Sequence, residues 1–140
     1  QGTSLGSTIE ELATILEQTG THPQAGICID TCHLFAAGYD LSTRKTYDEF
    51  MKNLESHIGI KRVGAFHMND SVKPLGSRVD RHADIGKGLM NTETFSLILT
   101  DKRFATVPKV LETPKGDDGN HLAADARNLE KLKTLWEDYQ

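Results

Sequence analysis

Short apolar runs alternate with segments of helical periodicity along the chain, and this alternation limits the possible folds more than any other feature. Apolar runs over residues 25–29, 62–68 and 108–113 predict three strands. Around them, apolar residues recur at three- and four-residue steps, as in the helix predicted over residues 8–19. Strands that alternate with helices are typical of a parallel sheet whose crossover connections are helices. The sequence therefore predicts an α/β fold.

A capping signal predicts where the second helix begins. Thr46 and Glu49 have the spacing of a capping box, and the apolar residues that follow recur near helical spacing. We therefore expect a helix to begin at this pair. The segment "TETFSLILTD" and the C-terminal tail predict two further helices.

Length and charge limit the classes of function. The 140 residues suffice for one domain, and no apolar run approaches the roughly 18 residues of a membrane span, so no membrane partner is expected. The formal net charge of -4 argues against a broadly basic nucleic-acid surface. Any binding of phosphate would therefore be local or assisted by cations.

The two cysteines indicate a reducing environment. Cys28 and Cys32 stand in "CIDTC", a spacing that matches neither a CxxC redox motif nor a zinc ribbon. We interpret them as reduced, structural thiols. Such cysteine usage favours an intracellular location, which would be the cytoplasm, or the nucleus or mitochondrion if the source is a eukaryote.

Three residues of metal-ligand type stand where the predicted strands end. Asp30 ends the first strand, His67 the second and Glu112 the third. The C-terminal ends of parallel strands meet on one face of a β/α fold, and active sites are built there. These three residues, called the strand-end group below, are therefore predicted to converge as nitrogen and oxygen ligands of a metal ion.

A second group of ligand types lies just beyond the strand ends and consists of His33, Asp80 and His82. Asp80 and His82 are two residues apart, so in an extended loop both side chains point to the same side and can chelate one ion. Two histidines and one aspartate leave an open tetrahedral position, which is typical of catalytic zinc. His82 by itself would be interpreted as a solvated loop histidine, and the prediction depends on the three residues together.

The segments "CIDTCHLFAAGYD", "HMND", "GSRVDRH" with the following "IGKG", and "LETP" together resemble the signature segments of endonuclease IV, the zinc-dependent apurinic/apyrimidinic endonuclease of base-excision repair. The likeness runs through the whole chain in order. It implies a TIM barrel, three zinc ions, and hydrolysis of the DNA phosphodiester 5′ to an abasic site. Double-stranded DNA that contains abasic sites is accordingly the expected partner.

The resemblance also implies the role of each ligand-type residue. One zinc ion would be held by Asp30, His67 and Glu112. We hypothesise that Glu112 also orients the attacking water. Another zinc ion would be held by His33, Asp80 and His82. In the family, the two histidines and the bridging glutamate that hold the remaining zinc lie upstream of the segment that resembles "QGTSLG". Two of the three ligand sets are therefore expected in this sequence.

The resemblance covers the C-terminal half of the family's barrel. A closed (β/α)₈ barrel takes around 250 residues, and about three of its eight strands are predicted here. We therefore expect residues 1–140 to form a single partial domain without the N-terminal half. Such a chain could be a fragment of a longer protein, pair with another chain or fold as an open half-barrel. Because an open parallel edge favours association, we expect self-association or pairing with the missing half.

Four residues near the predicted ligands are candidates for binding DNA phosphate. Arg81 lies between two ligands, so its side chain should point away from their metal. Asn69, Ser71 and Lys73 follow the strand that ends at His67. Phosphate contacts position a protein on DNA without reading its bases. The alternative interpretation is a solvated basic loop.

Three other functions agree with part of the pattern. A sugar-phosphate isomerase or epimerase on a similar metal-dependent barrel would share the strand-end group but would have little use for the second group, so zinc stoichiometry separates the two. A zinc-bound module could bind DNA or a partner chain without cutting, because its third metal site is incomplete. A purely structural fragment would hold no metal, and chelation would leave its melting temperature unchanged. Manganese or iron would also be compatible with such a mixed ligand shell.

Overall fold

The computed structural model describes residues 5–20, 22, 24–115 and 121–140. The helices are α1 (Ile9–Gln18), α2 (Thr31–Ala37), α3 (Arg44–His57), α4 (Glu93–Thr100) and α5 (His121–Glu137). The strands are β1 (Ile27–Asp30), β2 (Val63–His67), β3 (Asp70–Ser71), β4 (His82–Ala83) and β5 (Lys109–Val110). Short 3-10 helices lie at Ile60–Arg62 and Lys102–Phe104. Within the described ranges, no helix has the length and apolar character needed to cross a membrane.

Three parallel strands form the main sheet in the order β1, β2, β5. The register pairs Asp30 with His67 and His67 with Val110, so the strands end level with one another. The α/β prediction with three parallel strands and flanking helices is confirmed. This register also places the last side chains of β1 and β2 next to each other at one edge of the sheet.

The core lies between the sheet and its helices. Phe66 of β2 is fully buried, and its ring meets that of Phe104 edge to face at 4.9 Å between centroids. Tyr47 of α3 and Phe95 of α4 are also fully buried. Each such side chain contributes roughly 2 kcal/mol through burial of apolar surface. The core therefore holds the strand ends in a fixed arrangement.

Helix α3 begins earlier than its sequence predicts. Thr43 is the N-cap: its hydroxyl accepts a hydrogen bond from the Thr46 backbone N–H, and the Thr46 hydroxyl accepts one from the Thr43 N–H. The predicted box of Thr46 and Glu49 is wrong by three residues. Because Thr43 and Thr46 can both cap a helix, the side-chain spacing alone could not distinguish them.

A short antiparallel ribbon folds the long loop after β2 back on itself. Strand β3 pairs with β4, and Ser71 lies opposite His82. The intervening loop docks on the end of α2, where the Gly76 and Arg78 backbone N–H groups donate to the Phe35 and Ala36 carbonyls. This return of the chain brings the second group of predicted ligands to the strand ends.

Candidate metal centre

The strand-end group converges as its position in the sequence predicts. His67 Nδ1 lies 3.5 Å from Asp30 Oδ2 and 3.0 Å from Glu112 Oε2. Ligand atoms of the three residues lie within 4.8 Å of one another. Asp30 also caps α2, because its Oδ1 accepts a hydrogen bond from the His33 backbone N–H. Its Oδ2 is consequently the oxygen that faces the other two ligand types.

The second group meets at the carboxylate of Asp80. His33 Nε2 lies 2.8 Å from Asp80 Oδ2, and His82 Nε2 lies 3.1 Å from Asp80 Oδ1. Burial raises the pKa of Asp80. The hydrogen bond and charge of His33, together with Cys32 and His82, lower it by a larger amount, so the pKa lies below its usual range. This carboxyl group is therefore ionised at neutral pH and can serve as a ligand.

Two atoms of this second group test whether a cation fits. Asp80 Oδ1 and His82 Nε2 are buried, and neither has a hydrogen-bond partner in the described part of the chain. His82 Nδ1 lies 2.9 Å from the Glu112 carbonyl oxygen, which can only accept, so in the neutral imidazole Nδ1 carries the proton and the lone pair of Nε2 faces the carboxylate. Two buried acceptors that face each other are unfavourable by themselves, and a cation between them removes the conflict. The residues therefore fit a divalent metal.

The two groups adjoin each other at Asp30. Its Oδ2 lies 3.8 Å from His82 Nε2, and ligand atoms of Asp30, His33 and His82 lie within 4.8 Å of one another. Cys32 also lies within this distance of Asp80 and His82. Burial, the largest cause, raises the pKa of Cys32 to about 11, so it is a neutral thiol near pH 7. Asp30 therefore stands between the two groups of candidate ligands, which the sequence did not predict.

Comparison with known proteins places this arrangement in a family. Residues 1–135 match the family model of the xylose isomerase-like TIM barrel. The chain belongs to this family. It is 50% identical over 135 residues to a protein of Chloroflexus aggregans named "Probable endonuclease 4", and this alignment covers 96% of the chain and 46% of the relative.

A further relative and a solved structure are similar to the chain over most of its length. An "Apurinic-apyrimidinic endonuclease" of Caenorhabditis elegans is 45% identical over 116 residues, which are 83% of this chain and 29% of that protein. The crystal structure of endonuclease IV from Thermus thermophilus superimposes with a TM-score of 0.80 and 34% identity, and covers 99% of this chain and 47% of that one. The chain spans about half the length of the curated relatives that it matches. The predicted membership in the endonuclease IV family and the partial TIM barrel are confirmed.

In this TIM-barrel chain, the four predicted phosphate contacts separate into two pairs. Arg81 and Lys73 are exposed, as a contact with DNA requires. Asn69 and Ser71 are completely buried, and their side chains bond to protein groups: Asn69 to Asp30 and Glu112, Ser71 to the Lys73 backbone. The prediction for Asn69 and Ser71 is corrected, because a side chain without exposed surface cannot touch a phosphate.

The most important residue that the sequence analysis missed is Asp70. Its fully buried carboxylate accepts hydrogen bonds from four backbone N–H groups, those of Ser71, Gly86, Gly88 and Met90. A Cβ atom at Gly88 would lie 2.3 Å from Asp70 Oδ1, so only glycine fits there. The glycines of "IGKG", which resemble a phosphate loop, instead surround a carboxylate of the protein itself. The available signal in the sequence was this pair of glycines, because glycine-rich turns present successive backbone N–H groups to an anion.

Proposed function

We propose that this chain contributes two metal sites to an apurinic/apyrimidinic endonuclease of DNA repair, a zinc-dependent phosphodiesterase that hydrolyses DNA 5′ to an abasic site. The observation that supports this most is the pair of adjoining ligand groups at the carboxyl ends of the parallel strands, with two buried acceptor atoms that face each other. The names of the relatives agree with a nuclease. A sugar isomerase would have little use for the second group.

Each group would hold one ion. One set of ligands is Asp30, His67 and Glu112, and the other is His33, Asp80 and His82. When bound, metal ions would neutralise charge on the phosphate and supply an activated water. The Glu112 side chain is 51% exposed, so its carboxylate can contact His67 on one side and a water molecule on the other. Glu112 is therefore the proposed residue that orients the attacking water.

Arg81 and Lys73 are the proposed contacts with DNA phosphate. Both side chains are exposed, and the Arg81 guanidinium donates to the carbonyl oxygen of Asp80 in the second group. We expect Arg81→Ala to weaken DNA binding and to reduce its salt dependence while zinc content stays unchanged. Lys102→Ala, which removes an exposed lysine between α4 and β5, is the matched control. Equal binding by the Arg81 variant and the control would remove this assignment.

Residues 1–140 would act as a partial domain that pairs with the remaining half of a barrel or with a second copy. In the described part of the chain, β1 and β5 each pair on one side only. Beside β1 lies a cavity of about 320 Å³, lined by apolar residues such as Leu12 and Ile27 and reaching Asp30. An added strand would cover this cavity and place its last residue near the metal groups. We also propose an intracellular location, since both cysteines are free thiols and the proposed substrate is DNA.

The deciding experiment measures metal content and nicking together. The purified 140-residue chain is analysed by mass spectrometry and incubated with a duplex that carries one abasic analogue. We expect about two zinc ions per chain, because two ligand groups are present. We expect nicking only when a polypeptide that supplies the preceding half of the barrel is added. One ion per chain would favour the isomerase alternative, and the absence of metal would contradict the proposal.

A further inference from the structure

Asn69 is a fully buried amide whose orientation is determined by its partners. Its Nδ2 donates to Asp30 Oδ2 at 2.8 Å, and its Oδ1 accepts from the Glu112 backbone N–H at 2.8 Å. An ionised carboxylate cannot donate a proton and a backbone N–H cannot accept one. The amide therefore has only one orientation that satisfies both partners, and it joins two ligands of the strand-end group.

The backbone of Asn69 is held as firmly as its side chain. The Asn69 N–H donates to Thr31 Oγ1 at 2.8 Å, and the Thr31 hydroxyl donates to the Asn69 carbonyl at 2.6 Å. Thr31 is itself fully buried in the first turn of α2, directly after Asp30. Asn69 is thus held by the first residue of α2, the helix that its partner Asp30 caps, and it is buried away from solvent.

The contact with Asn69 completes the orientation of Asp30. One carboxylate oxygen of Asp30 accepts from the His33 N–H as the cap of α2, and the other accepts from Asn69. This second oxygen faces His67 Nδ1 at 3.5 Å and His82 Nε2 at 3.8 Å. Asn69 therefore fixes the lone pair that is directed at the proposed metals.

The other end of the amide acts through the backbone of Glu112. The Glu112 N–H donates to Asn69 Oδ1, and the Glu112 carbonyl oxygen, which belongs to the next peptide group, accepts from His82 Nδ1. The backbone of this one residue is thus positioned by Asn69 and determines which nitrogen of the neutral His82 ring carries the proton. A change at Asn69 is expected to reach a ligand of the second group by this connection.

We propose that Asn69 is a positioning residue that orients Asp30 and the backbone of Glu112 and thereby sets the metal affinity of both groups. This proposal rests on the metal-binding function proposed above. Hydrogen-bond partners of metal ligands typically change metal affinity by roughly 10- to 100-fold when they are replaced. Asn69 differs from an ordinary partner of this kind because it contacts one group directly and the other through the backbone of Glu112.

Two variants separate the two ends of the amide. Asn69→Ala removes both hydrogen bonds. Asn69→Asp keeps the volume and the acceptor for the Glu112 N–H, but it places an oxygen against Asp30 Oδ2. Ser71→Ala is the matched control, because Ser71 is equally buried in the same loop and its hydroxyl bonds to the Lys73 backbone rather than to Asp30 or Glu112. Zinc affinity is measured by competition with a coloured chelator, and the visible absorption of bound Co²⁺ reports the coordination of each group.

We expect Asn69→Ala to weaken zinc binding at both groups by about 10- to 100-fold and to change both Co²⁺ absorption bands. Asn69→Asp should weaken the strand-end group more than the second group, and Ser71→Ala should resemble the unchanged chain. Asn69→Asp still tests the proposal if the alanine variant does not fold, which its melting temperature without metal would reveal. Unchanged affinity in Asn69→Asp, or equal weakening in Ser71→Ala, would overturn the role of Asn69 alone. Absence of zinc from the unchanged chain would overturn the proposed function as well.

Discussion

Asp101 and Asp80 lie in two side-chain clusters that differ in how the charge of the aspartate is matched. Asp101, in the segment between α4 and β5, accepts hydrogen bonds from the Tyr47 hydroxyl, the Arg103 guanidinium and the Arg103 backbone N–H. Asp80 at the candidate metal centre faces two histidines, and its Oδ1 has no hydrogen-bond partner among the described residues. One carboxylate is satisfied by the protein and the other is not.

Whether a carboxylate has hydrogen-bond partners distinguishes a structural ion pair from a binding site better than the number of acidic residues nearby does. Burial raises the pKa of Asp101. The hydrogen bonds from Arg103 and Tyr47 lower it by a larger amount, so its pKa lies below its usual range. A carboxylate matched in this way stabilises the fold, whereas unmatched buried groups reduce stability until a ligand binds. The Asp101 cluster, which comprises Tyr47, Asp101 and Arg103, therefore serves as an internal reference for the metal centre.

The largest expected effect is stabilisation by zinc. At free zinc roughly 1,000 times above Kd, each occupied group should add about 4 kcal/mol to the free energy of unfolding, because the ion binds only the folded chain. Thermal unfolding with and without zinc measures this gain. Asp30→Ala should abolish most of it, since Asp30 adjoins both groups, and Asp101→Asn should retain it. Equal zinc responses in the two variants would contradict the contrast between the clusters.

Removal of charge should be costly only in the Asp101 cluster. We expect Asp101→Asn to lower the free energy of unfolding by about 2 kcal/mol, because the hydroxyl of buried Tyr47 and the Arg103 guanidinium lose a charged acceptor. Glu112→Gln in the metal-free chain should change it by less than about 0.5 kcal/mol, as for a surface substitution. Urea denaturation compares the two variants. A larger loss in Glu112→Gln would show that the site acids are also structural.

Asp80→Asn should be less costly than Asp101→Asn in the absence of metal. The new amide can donate to His82 Nε2, which has no partner among the described residues, and this gain offsets the lost contacts that lower the pKa of Asp80, so stability should change by less than about 1 kcal/mol. The lost contact between Asp80 and His33 reduces stability only a little, because the His33 imidazole is 59% exposed. The same variant should lose the metal of the second group. Urea denaturation of the metal-free variant measures this change. A loss of stability as large as that of Asp101→Asn would contradict the view that Asp80 and His82 lack partners in the metal-free chain.

The smallest expected effect is a difference in pH dependence. Because the pKa of Asp101 is lowered in the folded chain, its contribution is present above the ordinary carboxyl pKa of about 3.9 and is lost as the pH falls through the lower folded value. Asp101→Asn should therefore flatten the decline in stability below about pH 4. Stability measured from about pH 6 down to about pH 2 tests this expectation. An unchanged acid limb in the variant would show that other carboxyl groups determine it.

Local pattern predicted the elements well and their exact boundaries less well. The first strand was expected over residues 25–29 and lies at Ile27–Asp30, because a buried apolar run marks a strand without marking its last hydrogen bond. The start of α3 was misplaced because Thr43 and Thr46 can both cap a helix. Asn69 and Ser71 were expected at the surface, since polar residues after a strand usually are exposed. The β3–β4 ribbon buries both, and neither strand of the ribbon was predicted.

The sequence by itself determined the alternation of strands and helices and the ligand types at the strand ends, because both depend on spacings of a few residues. Only the tertiary structure decided which atoms face one another. Asn69 reaches Asp30 and Glu112 across separations of 39 and 43 residues, and Asp30 lies between the two ligand groups. Such contacts depend on strand register and on the folding back of a long loop. No local periodicity encodes these features, because they arise from packing of the whole core.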